Sequence, residues 1–140
     1  MDYYKIGQRV RAFRRAQDLS QEALAKRVGI SVTHMSHIET DNTKLSLPVF
    51  LRLAQALGVR TVICTDISRD GAMRGANLAL YRTLASRYSM DIIASGGVSS
   101  LEDIRALKEA GAAGAIIGKA YYTGAIDLAQ AIALGEGGEP

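Results

Sequence analysis

The hydrophobic pattern changes period part-way along the chain. Up to residue 59, apolar positions recur every three or four residues, as on the buried stripe of short helices. Ile6, Val10 and Phe13 have that spacing and leave Arg9, Arg11, Arg14 and Arg15 for an outer face. Asp18-Leu19-Ser20 interrupts it. Ser20 is a good N-cap, and the helix it opens turns Leu24, Ala25 and Val28 inward. Gly29 suits the left-handed position that follows a helix. Ser31 then caps a third helix with Met35 and Ile38 buried. Ser46, with Pro48 in the first turn, opens a fourth whose Phe50, Leu53, Ala54 and Leu57 share a face.

From Thr61 the pattern is different. Val62-Ile63-Cys64-Thr65, Ile92-Ile93-Ala94 and Ala115-Ile116-Ile117 are short β-rich runs, apolar at successive positions. Such runs predict strands buried on both faces, hence a parallel sheet. Amphipathic helices lie between them. One covers about residues 77–88, with Leu80 and Leu84 inward; another follows Ser99, with Leu101, Ile104 and Leu107 inward. Ser99 and Glu102 have capping-box spacing. The expected fold class is α/β: an N-terminal four-helix helix-turn-helix unit, residues 1–59, joined to a three-stranded parallel βαβαβα unit, residues 60–140.

Charge and glycine content change at the same place. Residues 1–59 carry nine Lys and Arg against five Asp and Glu; residues 60–140 carry eight against nine. Three glycines fall in the first part and eleven in the second. Charge and backbone chemistry changing together near Gly58-Val59-Arg60 mark a boundary between two units of different origin. Two helices joined by a tight glycine turn form a helix-turn-helix, whose second helix enters the major groove. Val32, Thr33, His34, Ser36 and His37 are the exposed residues expected on that helix, and none is acidic. Thr and Ser can bond either base type, Val can touch a thymine methyl, and His can donate to guanine acceptors. Asn42 and Lys44 follow in a polar loop suited to phosphate contact.

The run Leu19-Ser20-Gln21-Glu22-Ala23-Leu24-Ala25-Lys26-Arg27-Val28-Gly29-Ile30-Ser31 resembles the Cro/C1 repressor family, as do Met35-Ser36-His37-Ile38-Glu39 and Leu53-Ala54-Gln55-Ala56-Leu57-Gly58-Val59. The resemblance covers residues 4–59. It implies that Gln21 bonds a DNA phosphate and that Val32, Thr33, Ser36 and His37 read bases. The family usually continues with a fifth helix, which covers the core and often makes the dimer contact; this chain continues differently.

In the second part, candidate chemistry follows the strands. Ser95-Gly96-Gly97-Val98 and Gly118-Lys119-Ala120 are glycine loops after consecutive strands. Glycine lets backbone N–H groups approach an anion, and helix N-termini add favourable dipoles. Gly96, Gly97, Gly118 and Lys119 are thus the candidate phosphate- or sulfate-binding residues.

Thr65-Asp66-Ile67-Ser68-Arg69-Asp70-Gly71, the run Ala94 to Asp103, and Ile116-Ile117-Gly118-Lys119-Ala120 resemble the C-terminal part of the ProFAR isomerase family of histidine biosynthesis. This resemblance covers residues 58 to about 134. It implies a (β/α)8 barrel of which this segment supplies strands six to eight. It also implies that Thr65 and Asp70 face the active site and that Gly96, Gly97, Gly118 and Lys119 surround one substrate phosphate. The family's acid and base are aspartates on strands one and five, which this sequence does not contain. The expectation is therefore no enzyme activity, with Thr65 and Asp70 as remnants of a site.

Leu57-Gly58-Val59 suits both the end of a repressor helix and the helix-to-strand turn of a barrel, so a chimeric or fused protein is expected. Two readings stay open: a DNA-binding module with an appended phosphate-binding segment, or a structural chimera with a new compact fold and neither parental activity. The partners expected are double-stranded DNA, phosphate or sulfate, and a second copy of the chain, since three strands leave open edges. No cofactor, metal or membrane is expected. Cys64 is the single cysteine, which excludes an intrachain disulfide, and no apolar run reaches the roughly 18 residues of a membrane span. A cytoplasmic location is the expectation.

Overall fold

A computed structural model describes residues 1–137. Within it the chain divides into two compact units, the boundary falling between Val59 and Arg60.

The first unit is all helical: α1 (Tyr3–Ala16), α2 (Gln21–Val28), α3 (Val32–Thr40) and α4 (Leu47–Ala56). Local chemistry sets the starts. Ser20, Ser31 and Ser46 each accept, through the side chain, the N–H three residues on, which satisfies a donor the first helical turn leaves free. Gly29 follows α2 at φ 71°. α1 packs on α3, α3 on α2 and α2 on α4. Their core is Val10, Leu24, Ala25, Val28, Met35, Ile38, Leu45, Val49 and Leu53.

Two sequence expectations fail here. Phe13 is 58% exposed and Phe50 is also exposed, while Val49 takes the core position on α4. Phe13 and Phe50 instead line an apolar groove of about 220 Å³ with Ile6, Leu53, Ala54 and Leu57. Arg14, expected on the outer face, is buried, because Glu39 of α3 lies opposite it.

The second unit runs β1 (Thr61–Thr65), α5 (Leu78–Arg87), β2 (Asp91–Ser95), α6 (Leu101–Glu109), β3 (Gly114–Ala115), α7 (Lys119–Tyr122) and α8 (Leu128–Gly135). The sheet order is β1-β2-β3, all parallel, with Thr65 opposite Ser95 and Ala94 opposite Ala115. α5 packs on β2, α6 on β3, and α6 also meets α5 and α8.

The details depart from expectation in four places. The third strand ends at Ala115, so Ile116 and Ile117 lie beyond it. β1 is not buried on both faces: Thr61, Ile63 and Thr65 are exposed. Tyr81, not Leu80, is the fully buried residue of α5 beside Leu84. The capping box of α6 is one residue later than expected, formed by Ser100 and Asp103. Among the described residues, no helix is long and apolar enough to cross a membrane.

Candidate functional site

Each unit carries a candidate site, built from different physics. In the first unit, Gly29 and Ile30 make the turn between α2 and α3. Ile30 N–H donates to Ala25 O at 3.0 Å, which ends α2 and sets the entry to α3. Met35, Ile38 and Glu39 are buried on α3, so its opposite side is free. Val32, Thr33 and His37 are exposed there, and His34 and Ser36 are half-buried. Asn42 and Lys44 are exposed in the following loop; Asn42 Oδ1 accepts Tyr4 N–H at 3.2 Å.

Beneath this surface lies a buried ion pair. Arg14 Nε donates to Glu39 Oε1 at 2.6 Å and its Nη2 to Glu39 Oε2 at 2.9 Å. Arg14 also donates to Leu19 O at 2.6 Å. Gln21 Nε2 donates to Glu39 Oε2 at 2.9 Å, so the Gln21 side chain is tied to the same carboxylate. Burial alone would push the Glu39 carboxyl up. The bonds from Arg14 and Gln21 outweigh it and hold that carboxyl below its ordinary range.

In the second unit, the glycine loop after β2 and the one after β3 line one hollow of about 60 Å³. Its wall includes Asp70, Gly96, Gly97, Ile116, Gly118 and Lys119. Four sequence-derived phosphate candidates are thus brought together with Asp70. Thr65 is exposed at the end of β1 and does not line the hollow. Gly96 and Gly97 have φ of 93° and 82°. A Cβ on Gly96 would meet Asp66 O, and one on Gly97 would meet Gly75 O and the Arg69 side chain. Only glycine fits both the conformation and the space. Among the described residues, the N–H groups of Gly96, Gly97 and Gly118 donate to no protein group. Lys119 Nζ donates to Gly71 O at 3.3 Å, from an exposed position. α7 is a single turn, so a helix dipole adds nothing substantial at Gly118.

The loop after β1 is organised by Asp66. Its Oδ1 accepts Ser68 N–H and Oγ–H, and its Oδ2 accepts Asn77 Nδ2 at 2.9 Å. These bonds, those from Ser68 first, hold the Asp66 carboxyl below its ordinary range. Burial pushes the Cys64 thiol up, with Asp66 adding to the effect, so Cys64 is a poor nucleophile. Among the described residues, no group of three or more His, Cys, Asp or Glu could hold a metal.

A family model described as histidine biosynthesis protein matches residues 17–127. The chain is similar to curated proteins named as imidazole-4-carboxamide isomerases whose substrate name carries two 5-phosphoribosyl groups. That of Ruminiclostridium cellulolyticum is 53% identical over 59% of this chain and 35% of its own length. Those of Dinoroseobacter shibae and Syntrophomonas wolfei are 52% and 58% identical, over 67% and 56% of this chain and 40% and 33% of their own lengths. The chain thus spans about a third to two-fifths of the length of these relatives. It is also similar to the crystal structure of the restriction-modification controller protein C.AhdI from Aeromonas hydrophila. That likeness has 39% identity and a TM-score of 0.41, over 42% of this chain and 89% of that one.

These relatives correct one expectation. The expected absence of enzyme activity rests on strand-one and strand-five aspartates that this sequence does not contain. The proteins matched are named as enzymes, and the matching family model runs over the strand-end loops that the sequence does contain. The chain combines a helix-turn-helix segment with an isomerase-like segment.

Proposed function

The chain belongs to the histidine biosynthesis protein family, and from that premise we propose that its second unit holds the phosphate end of a phosphoribosyl substrate while its first unit binds double-stranded DNA. The observation that carries the phosphate reading is the meeting of Gly96, Gly97, Gly118 and Lys119 at one hollow, with open N–H groups on all three glycines. A phosphate offers several acceptor oxygens and needs convergent donors. Lys119 adds a cation at the rim. Asp70, a carboxylate, would repel phosphate and suits a sugar hydroxyl, from which it can accept a hydrogen bond. In this reading the unit is the phosphate-anchoring part of an isomerase site. Binding energy from that remote, non-reacting phosphate is what orients the sugar for reaction.

The DNA reading is supported by the free side of α3. In this reading Val32, Thr33, Ser36 and His37 read bases, with His34 beside them. In the same reading Gln21, Asn42 and Lys44 contact phosphates. A fused or chimeric origin accounts for two sites of different chemistry in one chain. Self-association belongs to the same proposal: Ile63, 59% exposed on β1, and Ile116 beyond β3 offer apolar surface to a second copy.

Calorimetric titration of the full chain with ribose 5-phosphate, ribose and inorganic phosphate tests the phosphate reading. Both phosphate compounds should bind and ribose should not. Equal response to ribose and ribose 5-phosphate would refute it. A gel-shift series with a pool of duplexes at rising salt tests the DNA reading, which a lack of retardation at low salt would end.

A further inference from the structure

The loop that carries Gly96 and Gly97 is anchored from beneath by a residue that the hydrophobic pattern passes over. Tyr81 of α5 is fully buried. Its hydroxyl lies 2.6 Å from Ser95 O and 2.9 Å from Cys64 O, and it accepts Ser95 N–H at 3.1 Å. A phenol has one proton and can also accept. It therefore donates to one of the two carbonyls while accepting from Ser95. Asp66 N–H donates to Ser95 O as well, at 3.0 Å. The ends of β1 and β2 thus converge on one side-chain oxygen.

Ser95 is the last residue of β2, and Gly96 follows it directly. On the far side the loop has no slack, since Gly96 lies against the backbone of Asp66 and Gly97 against that of Gly75. The direction of the Gly96 and Gly97 N–H groups is then set by how Ser95 is held. We propose that Tyr81 is a positioning residue for phosphate binding: its hydroxyl fixes the Ser95 peptide and so aims the two glycine N–H groups into the hollow. The inference rests on the phosphate reading above. Phenylalanine would keep the ring's packing but not the bonds to Cys64 and Ser95. The hydroxyl serves the backbone at the root of the loop.

The test compares wild type, Tyr81→Phe and Ile92→Val, the last a small change on the same strand that leaves the hydroxyl in place. Each full-length protein is titrated with inorganic phosphate while the amide signals of Gly96, Gly97 and Gly118 are followed by NMR, and thermal midpoints are recorded. Tyr81→Phe should weaken phosphate binding by about three- to tenfold, with smaller shifts at Gly96 and Gly97. Ile92→Val should leave the affinity unchanged even where its midpoint falls as far. If wild type shows no shifts at these glycines, the phosphate reading itself fails. If wild type responds and Tyr81→Phe binds equally well, only the inference on Tyr81 is overturned. Should Tyr81→Phe not fold, amide exchange in wild type decides. Phosphate should slow exchange at Ser95 together with Gly97, and slowing at Gly97 alone would overturn the inference.

Discussion

Gln21 Nε2 donates to Glu39 Oε2 at 2.9 Å, on the carboxylate that Arg14 grips with two further bonds. The Gln21 side chain is therefore held by a buried ion pair that joins α1 to α3. Replacing Gln21 should act in two ways. It removes one bond to Glu39, at about 1 kcal/mol of stability. On the proposed DNA reading it also removes a phosphate contact, which carries no sequence information. Gln21→Ala should weaken binding to all duplexes alike, as fluorescence anisotropy on several sequences would record. His37→Ala and Ser36→Ala should act on some sequences more than others, by roughly 1–3 kcal/mol where a base contact is lost.

The ion pair itself has a larger effect. Breaking a buried pair strands a charge and costs roughly 3–5 kcal/mol. Arg14→Met or Glu39→Leu should each destabilise the first unit by about that much. The double change Arg14→Met with Glu39→Leu should cost less than the sum of the two single changes, because no charge is left behind. Denaturant unfolding followed through signals of residues 1–59 checks this. Equal or additive losses in the double variant would contradict it.

The pH dependence follows from the same carboxylate. The folded state holds Glu39 below its ordinary value, so the unfolded chain binds its proton more readily. The stabilisation is present above the ordinary carboxylate range of about 4.3 and is lost as pH falls through the depressed folded value. An acid titration of the first unit should show this loss. In Glu39→Gln that acid-dependent component should be absent.

The glycine loop makes a sharper demand. Gly97→Ala places a Cβ against Gly75 O and the Arg69 side chain at a φ of 82°. The left-handed conformation alone costs roughly 1–2 kcal/mol for a non-glycine residue. The variant should lose phosphate binding and lower the thermal midpoint. Lys119→Ala, at an exposed rim position, should weaken binding several-fold with little change in midpoint. The two variants separate backbone shape from charge.

Much of the fold is legible in the sequence because its signals are local. Ser20, Ser31 and Ser46 cap helices through bonds to N–H groups three residues away, and a serine before an apolar stripe announces that bond. The glycines at 96 and 97 are visible for the same reason. Arg14 is misread because its burial depends on Glu39, twenty-five residues on, and no helical stripe records a distant partner. Phe13 and Phe50 sit at the margin of their stripes, where packing between helices decides which apolar residue goes in. Ser99 with Glu102 and Ser100 with Asp103 share one spacing, so the pattern alone cannot choose the α6 cap. The Asp103 carboxylate decides, by accepting the N–H groups of both serines. Tyr81 reads as one more residue of a helix because its partners, Cys64 and Ser95, lie on two strands. Its role emerges only when those strands are side by side.

Residue-resolved NMR of the full chain titrated with inorganic phosphate decides whether the glycine loops after β2 and β3 hold a phosphate, as proposed. The amides of Gly96, Gly97 and Gly118 should shift together along one saturating isotherm, with the amides of α5 and α8 unmoved. Shifts elsewhere with these three glycines still, or no saturation at any concentration, would contradict it.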